Sequence, residues 1–100
     1  MESDRARAHA TVQIDNESVI VAEWRFPPGG SKGWHRHAYD YVAVPLRDGN
    51  LQLETTEGQR ISELRADQSY FRGAGVEHNV VDSNEYEFIF IEIELKQTTP

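Results

Sequence analysis

The sequence predicts an all-β fold, an antiparallel sandwich or barrel, on three observations. Segments that alternate apolar and polar residues recur about every 8–12 residues, the strand spacing of such folds. Turn-forming residues separate these segments, and no stretch shows a sustained helical period. The 100 residues fit one domain with one core. We therefore expect a single domain over 1–100, with residues 1–8 as a flexible N-terminal arm and 97–100 as a tail.

The first half of the chain contains three extended segments. Residues 10–14 alternate weakly, and residues 18–26 follow with a clear period of two. Residues 27–33 are rich in Pro and Gly and are expected to form a loop. Residues 34–47 are predicted to form a long extended segment that is broken toward its end by Pro45.

Two hairpin signals occur in the second half. Asp48-Gly49 and Glu57-Gly58 lie between apolar runs, and such pairs tolerate the positive φ of a type I′ turn. Further strands are predicted over 59–64, 69–71, 77–81 and 86–95. Residues 5–9 and 62–67 are the two places where a short helical turn is expected.

The last strand is apolar on both faces. Phe88 and Phe90 lie on one face, and core packing explains them. The other face carries Ile89, Ile91, Ile93 and Leu95. Since so small a domain has one core, we expect a partner chain to cover the second face. A homodimer is the resulting prediction.

The charge balance and composition exclude several classes of function. Ten Lys and Arg against 17 Asp and Glu give a net charge of −7, which argues against nucleic acid as a partner. No window approaches the roughly 18 apolar residues of a membrane span, and the polar N-terminus does not resemble a secretory signal. Cysteine is absent, which removes thiolate chemistry. The expectation is a cytoplasmic protein whose partner is a small-molecule ligand.

His35 and His37 form the pair of residues most suggestive of chemistry. Positions i and i+2 of a strand project from one face, so two imidazoles at this spacing can converge on a metal ion. His78 begins another predicted strand and would reach the same interior in a closed barrel. An exposed strand can also carry this spacing by chance, and a lone His is often only a hydrogen-bonded polar side chain.

Two stretches resemble the signature motifs of the cupin superfamily. In the first motif, G-x5-H-x-H-x3-4-E-x6-G, the matching positions hold Gly29, His35, His37 and Gly49. In the second, G-x5-P-x-G-x2-H-x3-N, Gly75 and His78 match the central G-x2-H. The resemblance is to a small single-domain, cupin 2-like protein. It implies an antiparallel cupin β-barrel, which is a double-stranded β-helix or jelly roll.

The chain departs from the cupin pattern at the acidic ligand. The Glu position falls on Tyr41 or Val42, depending on the spacing, and strand parity favours Tyr41. Asp40 faces away unless a bulge re-aims it. Tyr41 is therefore our candidate catalytic residue, as a hydrogen-bond donor beside the open metal positions. The alternative is a barrel-lining aromatic, and water is a third substitute for the missing Glu.

What remains is a three-His set, as in the cupins that resemble cysteine dioxygenases and diketone-cleaving dioxygenases. The resemblance implies one divalent metal ion at His35, His37 and His78. Imidazole suits Fe, Mn, Ni, Zn or Cu, so the ligands do not name the metal. A site without a carboxylate favours anionic or enolate ligands, because the charge of the ion is not offset.

The function implied is a dioxygenase or isomerase-like reaction on a small organic acid or dicarbonyl, and whether turnover occurs is left open. The alternative is a non-catalytic small-molecule-binding cupin, including a metal-free one. Arg25 and Arg72 would bind a substrate carboxylate only if they reach the pocket. Asp82 is either an acceptor that orients an imidazole or a turn residue, and the second reading is favoured.

Overall fold

A computed structural model of the protein describes residues 5–96, which form nine strands and no helix. The predicted helical turns at 5–9 and 62–67 are wrong within this part, because His9 begins a strand and Ser62 lies inside one. Consequently no helix in this range is long and apolar enough to cross a membrane. The strands are β1 (His9–Asp15), β2 (Val19–Phe26), β3 (His35–Arg36), β4 (Asp40–Pro45), β5 (Gly49–Thr55), β6 (Gly58–Leu64), β7 (Tyr70–Arg72), β8 (Glu77–Asp82) and β9 (Phe88–Leu95).

Two sheets face each other. One has the order β1-β2-β9-β4-β7 and the other has the order β3-β8-β5-β6. Every pair of neighbouring strands is antiparallel. The all-β, antiparallel jelly-roll prediction is confirmed.

The core lies between the sheets and follows from the alternation of the strands. Phe26 and Phe88 are directly opposite across β2 and β9, and both are fully buried. Phe90 joins them with its ring centroid 5.6 Å from that of Phe26. The buried apolar cluster comprises Phe26, Tyr41, Ala43, Leu51, Leu53, Leu64, Val80, Phe88 and Phe90. Burial of these side chains is the main apolar stabilisation of the fold.

One of the two predicted hairpins is present. Thr55 pairs with Gly58 at the turn between β5 and β6, and Gly58 has a φ of 120°, which favours glycine. Asp48-Gly49 does not form a hairpin, because β4 and β5 belong to different sheets. Instead, Asp48 Oδ1 accepts a hydrogen bond from the Ala66 backbone N at 2.8 Å. Gly49 is needed for space, since a Cβ there would lie 2.8 Å from the Phe88 ring.

The predicted extended segment at 34–47 ends its strand at Pro45 as expected, but it is also broken between β3 and β4. β3 and β4 lie in different sheets, and the chain bends between them at residues 38 and 39. His37 therefore lies at the crossing, where its backbone N donates to Val76 O at 2.9 Å. The Gly75 backbone N donates to His37 O at 2.8 Å. These two bonds fix His37 beside β8.

The predicted N-terminal arm includes residues 1–4, and the predicted tail is residues 97–100; all of these lie outside the described residues. Within residues 5–8, the backbone of Ala8 donates to Ser31 O at 3.0 Å, and Ser31 N donates to Ala6 O at 2.9 Å. Arg5 forms an ion pair with Glu54 at 2.9 Å. This described part of the arm lies against the domain.

Candidate metal centre

Three imidazoles converge at one end of the interior. His35 on β3 lies directly opposite His78 on β8, and His37 follows at the crossing between the sheets. Nε2 of His37 is 3.1 Å from Nε2 of His35 and 3.1 Å from Nε2 of His78. The geometry thus brings together the three predicted metal-ligating residues.

The ring of His35 is held in one tautomer. Its Nδ1 lies 2.7 Å from the carbonyl oxygen of Gly33. Because a carbonyl only accepts, Nδ1 carries the proton and Nε2 of the neutral ring offers a lone pair. That lone pair faces His37, which is the arrangement that a metal ligand requires.

All three rings are kept neutral by their surroundings. Burial lowers the pKa of His37 to about 3, with further contributions from Lys32 and the neighbouring imidazoles. Burial likewise lowers the pKa of His78 to about 4 and lowers the pKa of His35. Only neutral imidazole has a free lone pair, so the cluster has the charge state of a metal site at neutral pH.

Hydrogen bonds between the three rings cannot satisfy all the Nε2 atoms of this cluster. Nε2 of His37 carries either one proton or one lone pair, yet it contacts two other ring nitrogens. One proton cannot point along both contacts, and a lone pair would face the lone pair of His35. A cation at the centre would satisfy all three nitrogens.

The spacing of the nitrogens fits such an ion. With metal–nitrogen bonds of about 2.0–2.1 Å, neighbouring ligands in octahedral or tetrahedral geometry are about 2.9–3.4 Å apart. The observed 3.1 Å contacts lie inside that range. The residues present therefore fit a divalent ion with three imidazole ligands and open positions.

A partly buried chain of polar groups supports the segment that carries His35. Gly33 N donates to Asn79 Oδ1 at 2.9 Å, and Asn79 Nδ2 donates to Glu54 Oε1 at 2.9 Å. Glu54 is in turn bound by Arg5, which is the main reason that its carboxyl pKa is lowered. Asn79 follows His78, so one side chain links the two strands that bear the ligands.

A cavity opens next to the imidazoles. The space within it that the centre of a water molecule can reach is about 20 Å³. Leu51, Leu53, Val80 and Phe90 form its apolar wall. Its polar lining includes His37, His78, Tyr41, Arg72, Lys32 and Glu92. The cavity combines apolar walls with a few convergent polar groups, as ligand sites do.

The comparisons with known proteins agree with this architecture. No family model matches the chain. It is 57% identical over 94 residues to the beta-alanine degradation protein BauB of Pseudomonas aeruginosa, covering 94% of this chain and 99% of BauB. A solved cupin domain from Bordetella pertussis Tohama I is also 57% identical, with a TM-score of 0.92 over 94% of this chain and 98% of that one. The chain belongs to the cupin superfamily.

A more distant structure shares only the fold of this cupin. A cupin superfamily protein from Desulfitobacterium hafniense DCB-2 is 14% identical, with a TM-score of 0.72. The alignment covers 97% of this chain and 84% of that one. The predicted cupin resemblance and the small single-domain fold are thus confirmed.

Tyr41, one of the two residues on which the Glu of the cupin motif falls, points inward on β4. Its ring stacks on His37 with centroids 4.1 Å apart, and it is 4% exposed. Burial raises the pKa of Tyr41, so its hydroxyl keeps the proton that a hydrogen-bond donor needs. Tyr41 both belongs to the core cluster and lines the cavity of the cupin. Its catalytic role stays a prediction.

The two carboxylates considered from the sequence, Asp40 and Asp82, do not join the three imidazoles. Asp40 Oδ1 accepts a hydrogen bond from the Ala74 backbone N at 2.7 Å. Asp82 Oδ1 accepts from both the backbone and the side chain of Asn84, at 2.8 and 2.7 Å. Asp82 therefore stabilises the turn, which agrees with the sequence-based expectation that it is a turn residue.

Arg25 and Arg72 were the two candidates for binding a substrate carboxylate, and only Arg72 reaches the cavity. Its guanidinium lies over the Tyr70 ring, 4.6 Å from the centroid. Arg25 instead forms ion pairs with Glu23 and Glu87, at 2.7 and 3.2 Å. Arg72 is the cupin's candidate anchor for an anionic group.

Two residues of the cavity were missed by sequence reasoning. Lys32 and Glu92 form a buried ion pair with Nζ 3.3 Å from Oε2. Burial lowers the pKa of Lys32, although the charge of Glu92 opposes this effect. The signal available in the sequence was β9 itself, where the inward positions change from Phe88 and Phe90 to Glu92.

Proposed function

We propose that this cupin binds one divalent metal ion through His35, His37 and His78 and acts on a small organic acid or 1,3-dicarbonyl. The observation that carries the proposal is the pair of 3.1 Å contacts among three Nε2 atoms. Neutral imidazoles at this spacing suit a cation and leave one another unsatisfied without it.

The lining of the cavity supports an anionic substrate. Arg72 lies directly opposite Tyr41 in the β4–β7 register, so a guanidinium and a hydroxyl flank the same space. A guanidinium is suited to carboxylate recognition. The relative BauB is named for beta-alanine degradation, and beta-alanine is a three-carbon acid. We therefore place a carboxylate of that size among the substrates.

The chemistry proposed is proton transfer next to a carbonyl. A bound divalent ion supplies Lewis-acid stabilisation of negative charge on oxygen. In this assignment Arg72 binds the carboxylate of the substrate, and the Tyr41 hydroxyl donates a hydrogen bond to the oxygen that gains charge. The walls at Leu51, Leu53 and Val80 limit the access of water.

An O2-dependent oxidation is the second candidate reaction. It is favoured by the same three-His set, which resembles that of the cupins similar to cysteine dioxygenases and diketone-cleaving dioxygenases. Oxygen consumption during substrate turnover would separate it from proton transfer. Saturable ligand binding without any product would instead identify a binding cupin.

The decisive first experiment is metal analysis by mass spectrometry on untagged protein purified without chelators. About one equivalent of Fe, Mn, Ni, Zn or Cu per chain would support the site. Protein that stays metal-free after incubation with those ions would contradict the proposal. The identity of the metal then selects the assay, with iron directing it toward oxygenation.

We also propose that the cupin forms a homodimer through the outer face of the β1-β2-β9-β4-β7 sheet. Directly opposed residues make an apolar row across all five strands of this sheet. That row is Ile14, Val21, Ile93, Val42 and Phe71. Glu23 and Arg25 on the same face neutralise each other in a 2.7 Å ion pair. A second copy suits this face, because a two-fold interface brings identical apolar surfaces together without complementary charge.

A further inference from the structure

We propose that Glu92 is the proton acceptor of the reaction and that Lys32 is the residue that positions it. The inference rests on the proposed function, since it assigns the base for a substrate held beside the three imidazoles. The sequence motif that supplies a carboxylate in other cupins lacks one here, and β9 supplies Glu92 from a different strand.

The neighbours of Glu92 in the sheet are small residues. In the sheet, Glu92 lies between Ala22 on β2 and Ala43 on β4. Both are small, so no larger side chain of the adjacent strands covers the carboxylate. Glu92 is 5% exposed and lines the same cavity as His37 and His78. A buried carboxylate there contacts whatever occupies the cavity.

Lys32 reaches Glu92 from the loop before β3. Its Nζ lies 3.3 Å from Glu92 Oε2 and 4.0 Å from the centroid of the Trp24 ring. A buried ion pair is weak evidence for stability, because desolvation of both charges offsets their attraction. The pair instead holds one carboxylate oxygen of Glu92 in place inside the barrel.

The position of Glu92 relative to the imidazoles suits a base better than a ligand. Ligand atoms of His37, Glu92 and Glu94 lie within 4.8 Å of one another. Glu92 shares no such group with His35 or His78 among the described residues. It therefore lies to the His37 side of the centre of the three Nε2 atoms. The Lys32 ammonium also opposes a cation at Glu92 itself.

The proposed step balances without an oxidant. The C–H bond between the two carbonyl carbons of the substrate breaks, and the proton passes to a Glu92 carboxylate oxygen. The electron pair of that bond forms a C=C bond, and the carbonyl π pair moves onto oxygen, giving an enolate. Return of the proton from Glu92 to carbon completes the cycle. In D2O the protonated Glu92 exchanges its proton for a deuteron of the solvent before this return, so that deuterium enters at carbon.

The test uses acetoacetate as the probe and follows deuterium exchange at C2 by proton NMR, above the uncatalysed rate. We expect Glu92→Gln to lower the enzymatic exchange rate at least about 100-fold, the contribution typical of a positioned base. Metal content should stay at the wild-type level. Malonate affinity, read by tryptophan fluorescence, should rise, because a negative charge facing the ligand is removed. Glu63→Gln is the matched control, since Glu63 is an exposed partner of Arg65.

Stability is separated from chemistry by a second set of variants. Glu92→Gln leaves Lys32 buried without its partner, which costs stability, whereas Lys32→Met with Glu92→Gln removes both charges. If the double variant regains both thermal stability and exchange, Glu92 has a structural role and the proposal is overturned. Lys32→Met alone should slow exchange, and Lys32→Arg should restore part of it.

Different results would contradict the role proposed for Glu92 and the proposed metal-dependent function. Absence of exchange in the metal-loaded wild type overturns the role of Glu92 and leaves the metal site standing. Loss of metal in Glu92→Gln would make Glu92 a ligand rather than a base. Absence of metal from the wild type contradicts the proposed function directly, before any exchange is measured.

Discussion

His35 and His78 lie directly opposite each other in the β3–β8 ladder, and His37 closes the triangle from the crossing between the sheets. Two of the three ligands are thus fixed by a single strand register. A shift of one residue in that register would turn one imidazole to the other face of the sheet. The proposed metal site therefore depends on the pairing of a strand of only two residues.

Removal of either opposed imidazole should abolish metal binding. We expect His35→Ala and His78→Ala to weaken metal affinity by more than about 100-fold. Loss of a residue that only hydrogen-bonds a metal ligand already weakens affinity by up to about 100-fold, and loss of the ligand itself should cost more. Metal content after dialysis against a weak chelator measures this. His9→Ala is the control, because His9 is exposed on β1. Equal metal content in His78→Ala and His9→Ala would contradict the three-His site.

The side chain of Asn79 should influence the metal affinity of the site, although Asn79 is not itself a proposed ligand. Asn79→Ala removes the acceptor of Gly33 N and the donor to Glu54. Since Gly33 O orients the His35 ring, we expect metal affinity to fall about 10–100-fold. The free energy of unfolding should fall by about 1–3 kcal/mol.

Competition with a fluorescent chelator and urea unfolding would measure the two effects. Asn50→Ala is the matched control, because the backbone of Asn50 makes its hydrogen bonds. An Asn79→Ala protein with wild-type metal affinity would show that the polar chain has no influence on the ligands.

Local patterns predicted the strands because alternation is a property of neighbouring residues. The turn at Glu57-Gly58 was likewise predicted, since both flanking strands pair with each other. Asp48-Gly49 carries the same turn signal, but the sheet that receives β5 is set by long-range pairing with β6 and β8. A dipeptide contains no information about that choice.

The same limit applies to the site. The HxH spacing and the G-x2-H motif predicted three imidazoles, because each motif is local and the fold brings the two together. Lys32 and Glu92 are 60 residues apart and share no motif. Only the closed barrel places a loop lysine against an inward position of β9.

The metal-free protein should lose stability as the pH falls below about 6.5. In the native state the pKa values of His37 and His78 are lowered to about 3 and about 4, whereas unfolded histidine titrates near 6.5. Between those values the unfolded chain binds protons that the native state does not, so acid favours unfolding. Each group contributes at most about 1.4 kcal/mol per pH unit.

Urea unfolding of the chelator-treated protein at pH 7 and pH 5 would measure this. The decrease should be smaller in His78→Ala, which lacks one of the two groups. An unfolding midpoint that does not change between pH 7 and pH 5 would contradict the burial of neutral imidazoles.

The outer apolar face should control the oligomeric state. Ile93 lies at the centre of the five-strand row, between Val21 and Val42. Ile93→Asp places a charge in the proposed interface, and burying an unpaired carboxylate there is costly. We expect light scattering at micromolar concentration to report twice the 11.4 kDa chain mass for the wild type and the chain mass for Ile93→Asp.

Ile61→Asp is the control, since Ile61 is 58% exposed on β6 of the other sheet, and it should remain dimeric. A wild-type mass equal to one chain would remove the dimer, and a dimeric Ile93→Asp would place the interface on a different face.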